Sequence, residues 1–163
     1  MRELNREDAE RILVRNHHGR LACYSPSKGS CYVVPMSYAY RDGSIYLGTL
    51  RGQKLEYLRE QPRGVCFEVD EITTDETWFS VIATGNFEEL QGQEREAEAP
   101  SAVQRALRGP MRDALYSDQV MTEWQRAELK VTLGAIRVTD LSARQDQWSW
   151  QHDLPKELNR SRR

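Results

Sequence analysis

Thr49, Arg51, Gln53 and Lys54 set a hydroxyl, a guanidinium, an amide and an ammonium within six residues, inside the stretch DGSIYLGTLRGQKLEYL. An apolar strand runs out there just as a helix begins. The first amides of a helix have no intrahelical acceptor, and the helix dipole adds partial positive charge, so Gly52 and Gln53 open a seat for an anion. Thr49, Arg51 and Lys54 would complete it for a phosphate monoester, by charge-assisted hydrogen bonds. The same residues also suit a plain capped helix with solvated cations, and the pattern alone does not choose between the two.

Two residues on the preceding strands carry further signals. Pro35 interrupts a strand pattern and deletes a ladder donor, so its nitrogen should face an edge or a gap. Gly48, in the partner strand, weakens packing unless another group approaches the backbone closely. With a turn centred on Asp42 and Gly43, Tyr40 should face Ile45 and Met36 should face Thr49, which makes Pro35 and Gly48 neighbours. A flat ligand lying on exposed backbone would explain both, and so would a bulge or barrel corner. On a later strand Trp78 and Ser80 share one face, where they could flank a ring or belong to a barrel core. His17, His18 and His152 have no metal-ligand spacing, and no metal is assigned. No nucleophile elbow, Walker loop or G-x-G-x-x-G run is present.

The elements that must position these residues follow from periodicity. Asn5 caps a helix through NREDAERILVRN, with Ala9, Ile12 and Leu13 on its inner stripe and Gly19 expected to end it. GRLACYS reads as a strand, CYVVPMSYAY as a second, and Asp42-Gly43 signals a hairpin back through SIYLGTL. GQKLEYLRE is a short helix stopped by Pro62. RGVCFEVDE and TWFSVIATGNFEEL are two more strands, the latter with both faces half-buried, and LKVTLGAIRVTDLSAR closes the set. The Ala-rich, charged region between them reads as helical on either side of Pro100. About six strands with peripheral helices imply an antiparallel barrel of the mainly β, α+β class.

The 163 residues suit one domain over 1–145, followed by a tail over 146–163 that is partly disordered or packed on a dimer. A formal net charge of -2 and a pI near 6.0 supply no positive field for nucleic acid or an anionic membrane. Cys23, Cys31 and Cys66 match no metal clip or disulfide frame, which points to a reduced, cytoplasmic protein without a membrane span.

The ordered combination of VVPMSYAY, G-x-K-L, P-R-x-x-F-E-V-D and W-x-S-V-I-x-x-G resembles the pyridoxamine 5'-phosphate oxidase-like split-barrel flavoproteins, in particular the nitroimidazole-resistance branch. The resemblance covers roughly residues 3–140 and implies a six-stranded split barrel, a homodimer and FMN at the dimer interface. It places Val34, Pro35, Met36 and Ser37 along the isoalloxazine and ribityl chain. Thr49, Gln53 and Lys54, with Arg51, would hold the phosphate. Trp78 and Ser80 would line the same pocket from a neighbouring strand. The sequence departs from the pattern at Gly48, where many members of the branch carry a histidine, and its C-terminus lacks the pyridoxal phosphate grip of the true oxidases. The resemblance therefore implies an FMN-dependent oxidoreductase that serves a small acceptor. The alternative is a non-enzymatic protein holding flavin or haem on the same barrel. It assigns no catalytic side chain.

Overall fold

The computed structural model describes residues 1–49, 51–73, 77–91 and 132–147. The Ala-rich region between the last two segments and the tail with Trp148 and Trp150 fall outside them. In chain order the elements are β1 (Arg2–Glu3), α1 (Arg6–Arg15), β2 (His18–Ser25), β3 (Ser30–Ser37), β4 (Ala39–Arg41), β5 (Ser44–Thr49), α2 (Gln53–Glu60), β6 (Val65–Ile72), β7 (Thr77–Glu89) and β8 (Thr132–Gln147).

Local chemistry explains several boundaries. Asn5 caps α1 by accepting from the Asp8 amide at 2.9 Å, and Ala9, Ile12 and Leu13 bury the expected stripe. The helix stops at Arg15 rather than at Gly19, because the Asn16 amide and side-chain Nδ2 both close on the Ile12 carbonyl. Gly19 lies inside β2, where a Cβ would sit 2.3 Å from Phe67 Cε1. Its missing side chain serves close approach of a neighbouring strand, not helix termination. The Asp42-Gly43 turn forms as expected, both residues having positive φ, with Tyr40 opposite Ile45.

The expected long strand through CYVVPMSYAY divides at Tyr38. That residue is fully buried; its amide donates to the His17 carbonyl at 3.0 Å and its hydroxyl to the Leu13 carbonyl at 2.9 Å. Its ring meets Phe67 edge-on, with centroids 5.0 Å apart. Held on both sides, the chain leaves the β2 side of the sheet and turns to pair with β5. Met36 lies opposite Gly19 of β2, and Thr49 opposite Thr132 of β8, and no ladder joins the two residues across the gap between β3 and β5.

The sheet order is β3-β2-β6-β7-β8-β5-β4, with β1 beside β8. Its two end strands, β3 and β4, are separated in the chain by Tyr38 alone, so the sheet must wrap until its ends meet. Between β3 and β5 some Cα atoms approach within 8 Å, yet the two strands do not pair, which leaves the barrel split there. Eight strands replace the expected six because β1 was not foreseen and one expected strand is two; the class is as expected. The core joins Leu21, Phe67, Val69, Val81, Ala83, Ile45, Leu47 and Ile136 to Leu55 and Leu58 of α2. Strand β8 runs through Gln147, past the expected domain end at residue 145. No helix among the described residues is long and apolar enough to cross a membrane.

Candidate functional site

The split is bordered on one side by β3. Because the Tyr38 amide points to β2, alternation aims the main-chain groups of Val34 and Met36 to β2 and those of Val33, Pro35 and Ser37 to the unpaired edge. Proline sits where its missing donor costs nothing, as the sequence required. The edge thus offers the Pro35 carbonyl and the Ser37 amide and carbonyl. The side chains alternate the other way: Met36 is buried and Val34 packs on the core, while Pro35 and Ser37 face outward. Ser37 Oγ lies 3.2 Å from His18 Nδ1.

The other border is the end of β5 and the start of α2. Thr49 is buried and Gly48 half-buried. Gly52 caps α2 without a side-chain hydrogen bond, its carbonyl accepting from the Leu55 and Glu56 amides at 3.0 and 3.1 Å. The amides of Gln53 and Lys54 therefore lack an intrahelical acceptor. Arg51 is exposed and Lys54 half-buried, and neither meets a carboxylate among the described residues. The other cations nearby are engaged: Arg59 forms a fork with Glu89 at 2.5 and 3.0 Å, and Lys28 pairs with Glu56 at 3.7 Å. The Arg59 guanidinium beside Glu89 holds that carboxyl below the usual carboxylate range. Among the described residues, Arg51 and Lys54 leave positive charge open towards the helix start.

Trp78 and Ser80 share the outward face of β7, half-buried, opposite Ile72 and Asp70 of β6. They do not join the split from a neighbouring strand. Strands β2 and β6 stand between β3 and β7, a separation of about 14 Å at the usual strand spacing. Along β8 the path to the helix start is longer: Thr49 lies opposite Thr132 and Trp78 opposite Asp146, about 46 Å of strand contour.

The ground between these groups belongs to three residues that the sequence reading passed over. Arg20 lies opposite Pro35 on one side and Glu68 on the other. Its guanidinium pairs with Asp70 and lies 3.5 Å from Glu68, which in turn accepts a hydrogen bond from Ser80 Oγ at 3.5 Å. The available signal was the alternation in CFEVDE, which sends Glu68 and Asp70 outward while Phe67 and Val69 go inward. Burial, and then Glu68, push the Cys66 thiol on this face above its ordinary value, so it is not a ready thiolate. A cleft of about 700 Å³ between α1 and the Asp42-Gly43 turn lies at the other end of β5 and does not reach the helix start. The described residues contain no cluster suited to a metal ion.

Comparison with known proteins agrees with this architecture. A curated relative, an uncharacterized protein of Rhizobium meliloti (strain 1021), is 30% identical over 90 residues, covering 55% of this chain and 58% of the relative. The match thus spans little more than half the length of that relative. The solved structure of a FAD-binding protein from Mesorhizobium loti shares 30% identity at a TM-score of 0.68, over 88% of this chain and 95% of that one. A candidate 5-nitroimidazole antibiotic resistance protein from Bacteroides thetaiotaomicron has the same fold at 18% identity and a TM-score of 0.66, over 88% and 86% of the two chains. Residues 5–145 match the pyridoxamine 5'-phosphate oxidase family, and with a split barrel on which its motifs fall in order, the chain belongs to that family.

Proposed function

We propose that the chain is an FMN-binding oxidoreductase that acts as a homodimer and passes reducing equivalents to a small acceptor. The observation that carries this reading is the split itself: β3, with its unpaired backbone edge at Pro35 to Ser37, approaches β5, which runs into a helix start without a side-chain cap, whose Arg51 and Lys54 lack acidic partners among the described residues. A flavin mononucleotide needs both features, hydrogen-bonding groups for a flat heterocycle and a cationic seat for a terminal phosphate. A bound flavin would supply the electron transfer.

The chain's own part is to bind and to orient. The amides of Gln53 and Lys54, the Gln53 side chain and the Lys54 ammonium would hold the phosphate, with Arg51 beside them and Thr49 below. Val34 and Met36 fix the strand to the core, so that the Pro35 and Ser37 backbone meets the ring edge at a set depth. Trp78 and Ser80 lie on the outward face three strand positions round from β3, and in this reading they cover the flavin of the second subunit. No side chain is assigned a proton transfer. Gly48, standing where many related proteins carry histidine, favours the second reading, a flavin carrier without turnover.

The test is a visible absorbance spectrum of the purified protein after incubation with FMN, or with FAD, and desalting. Retained flavin bands support the reading, and steady turnover with NADPH and a dye separates enzyme from carrier. A colourless protein after both incubations refutes flavin binding, and a Soret band replaces it with haem. Sedimentation that shows a monomer carrying stoichiometric FMN would overturn the two-chain site.

A further inference from the structure

Tyr57 lies one helical turn below Gln53, with its ring buried at 2% exposure. Its hydroxyl accepts from Gln53 Nε2 at 3.1 Å and lies 2.8 Å from Ser30 Oγ. The Gln53 N–H comes in to the phenol oxygen, and between the phenol and Ser30 either hydroxyl can donate. The relay runs from an otherwise exposed glutamine at the helix start, through a buried phenol, to the first residue of β3. The turn that carries β3 is fastened along the same helix: Ser25 Oγ and the Ser27 amide both donate to Glu60 at 2.6 Å, and Lys28 stacks on the Tyr57 ring at 5.0 Å.

We propose that Tyr57 is the positioning residue of the anion seat, holding the Gln53 amide so that its second N–H donates to a bound phosphate. This rests on the FMN reading above. A free glutamine at a helix start loses its rotamer freedom when it binds, whereas one already tied to Tyr57 has little left to lose. The hydrogen bond also fixes which end of the amide is committed, so the nitrogen end, not the carbonyl, serves the anion. Tyr57 then selects for flavins that carry a phosphate, and riboflavin, which lacks one, should not sense it.

The experiment measures FMN and riboflavin affinities by flavin fluorescence for the full chain, for Tyr57→Phe, for Gln53→Ala and for the double variant, with thermal unfolding alongside. Tyr57→Phe keeps the ring and its packing. It should weaken FMN about five- to tenfold and leave riboflavin within about twofold. The double variant should bind FMN no more weakly than Gln53→Ala alone. Equal weakening of both flavins would show that Tyr57 acts through helix packing, and additive losses in the double variant would show that it does not act through Gln53; either overturns the proposal. A wild-type chain that binds FMN no better than riboflavin would instead refute the phosphate seat itself, and the relay with it. Should Tyr57→Phe not fold, Ser30→Ala reads the relay from its other end: FMN-selective weakening supports the proposal and unchanged FMN affinity overturns it.

Discussion

Tyr38 fixes where the barrel splits, and Tyr38→Phe tests that role without changing the packing of the ring. The substitution keeps the edge contact with Phe67 and removes the hydroxyl that donates to the Leu13 carbonyl at 2.9 Å. Leu13 is itself fully buried in the last turn of α1, so its carbonyl is left without that donor and without easy access to water. An orphaned buried acceptor costs about 1 to 3 kcal/mol. At about 3 °C per kcal/mol for a chain of this size, Tm should fall by about 3 to 9 °C. The effect should also depend on pH with a definite sign. Burial pushes the Tyr38 phenol above its ordinary value of 10.0. A raised value means that the unfolded chain ionises first, so the stability from this phenol is complete below about pH 10 and is lost as pH rises further. The Tm gap between wild type and Tyr38→Phe should therefore be largest near neutrality and narrow above about pH 10. Calorimetry at several pH values measures both. Equal Tm values at neutral pH, or a gap that widens in alkali, would refute the reasoning.

Lys54→Ala should weaken FMN by about 1.5 to 3 kcal/mol, or about ten- to a hundredfold, if the ammonium reaches the phosphate; unchanged affinity in a titration removes Lys54 from the seat. Gly19→Ala would force a Cβ to 2.3 Å from Phe67 Cε1 and 2.6 Å from the Glu68 carbonyl oxygen. The ring can shift but the backbone oxygen cannot do so cheaply, so a loss of about 1 to 3 kcal/mol should appear in the urea midpoint. The carboxyl of Glu89 is held below the usual 4.5 by Arg59, so its contribution to stability is present above that value and lost as pH falls through the lowered one. Arg59→Ala should accordingly flatten the acid limb of the Tm profile, and an unchanged limb would show that this pair does not contribute.

Where a feature depends on a few adjacent residues, the sequence was enough to predict it. Asn5 and the Asp42-Gly43 turn appear as expected because capping and positive φ are decided within about four residues. Pro35 pointed correctly to a sheet edge, since proline carries its constraint wherever it lies. Features decided at a distance were missed. YVVPMSYAY alternates without a break, so nothing local marks Tyr38 as a junction; the break comes from Leu13 and His17 far behind it in the chain. Gly19 reads locally as a helix stop, and only Phe67 from another strand reveals its use. That Trp78 and Ser80 share a face was legible from the period of the strand; that the face points outward was not. Which strands neighbour β7 was not, because strand order is a property of the whole sheet. Arg20, Glu68 and Asp70 were passed over, because only the β2 and β6 registers set them side by side.

The separation of Trp78 from the helix start gives the dimer reading its sharpest consequence. If one flavin needs the Lys54 of one chain and the Trp78 of the other, each single variant damages both sites of its own homodimer. Mixing Lys54→Ala chains with Trp78→Ala chains and allowing exchange changes that. Each mixed dimer then holds one site with both native residues and one site with neither. With random pairing about half the dimers are mixed, so about a quarter of all sites should recover wild-type affinity for FMN. A site built within one chain can recover nothing, because every chain in the mixture carries a defect. A titration of the exchanged mixture that shows no tight fraction, while wild-type chains taken through the same exchange retain theirs, would place the whole site on one subunit. The outward position of Trp78 would then need another explanation.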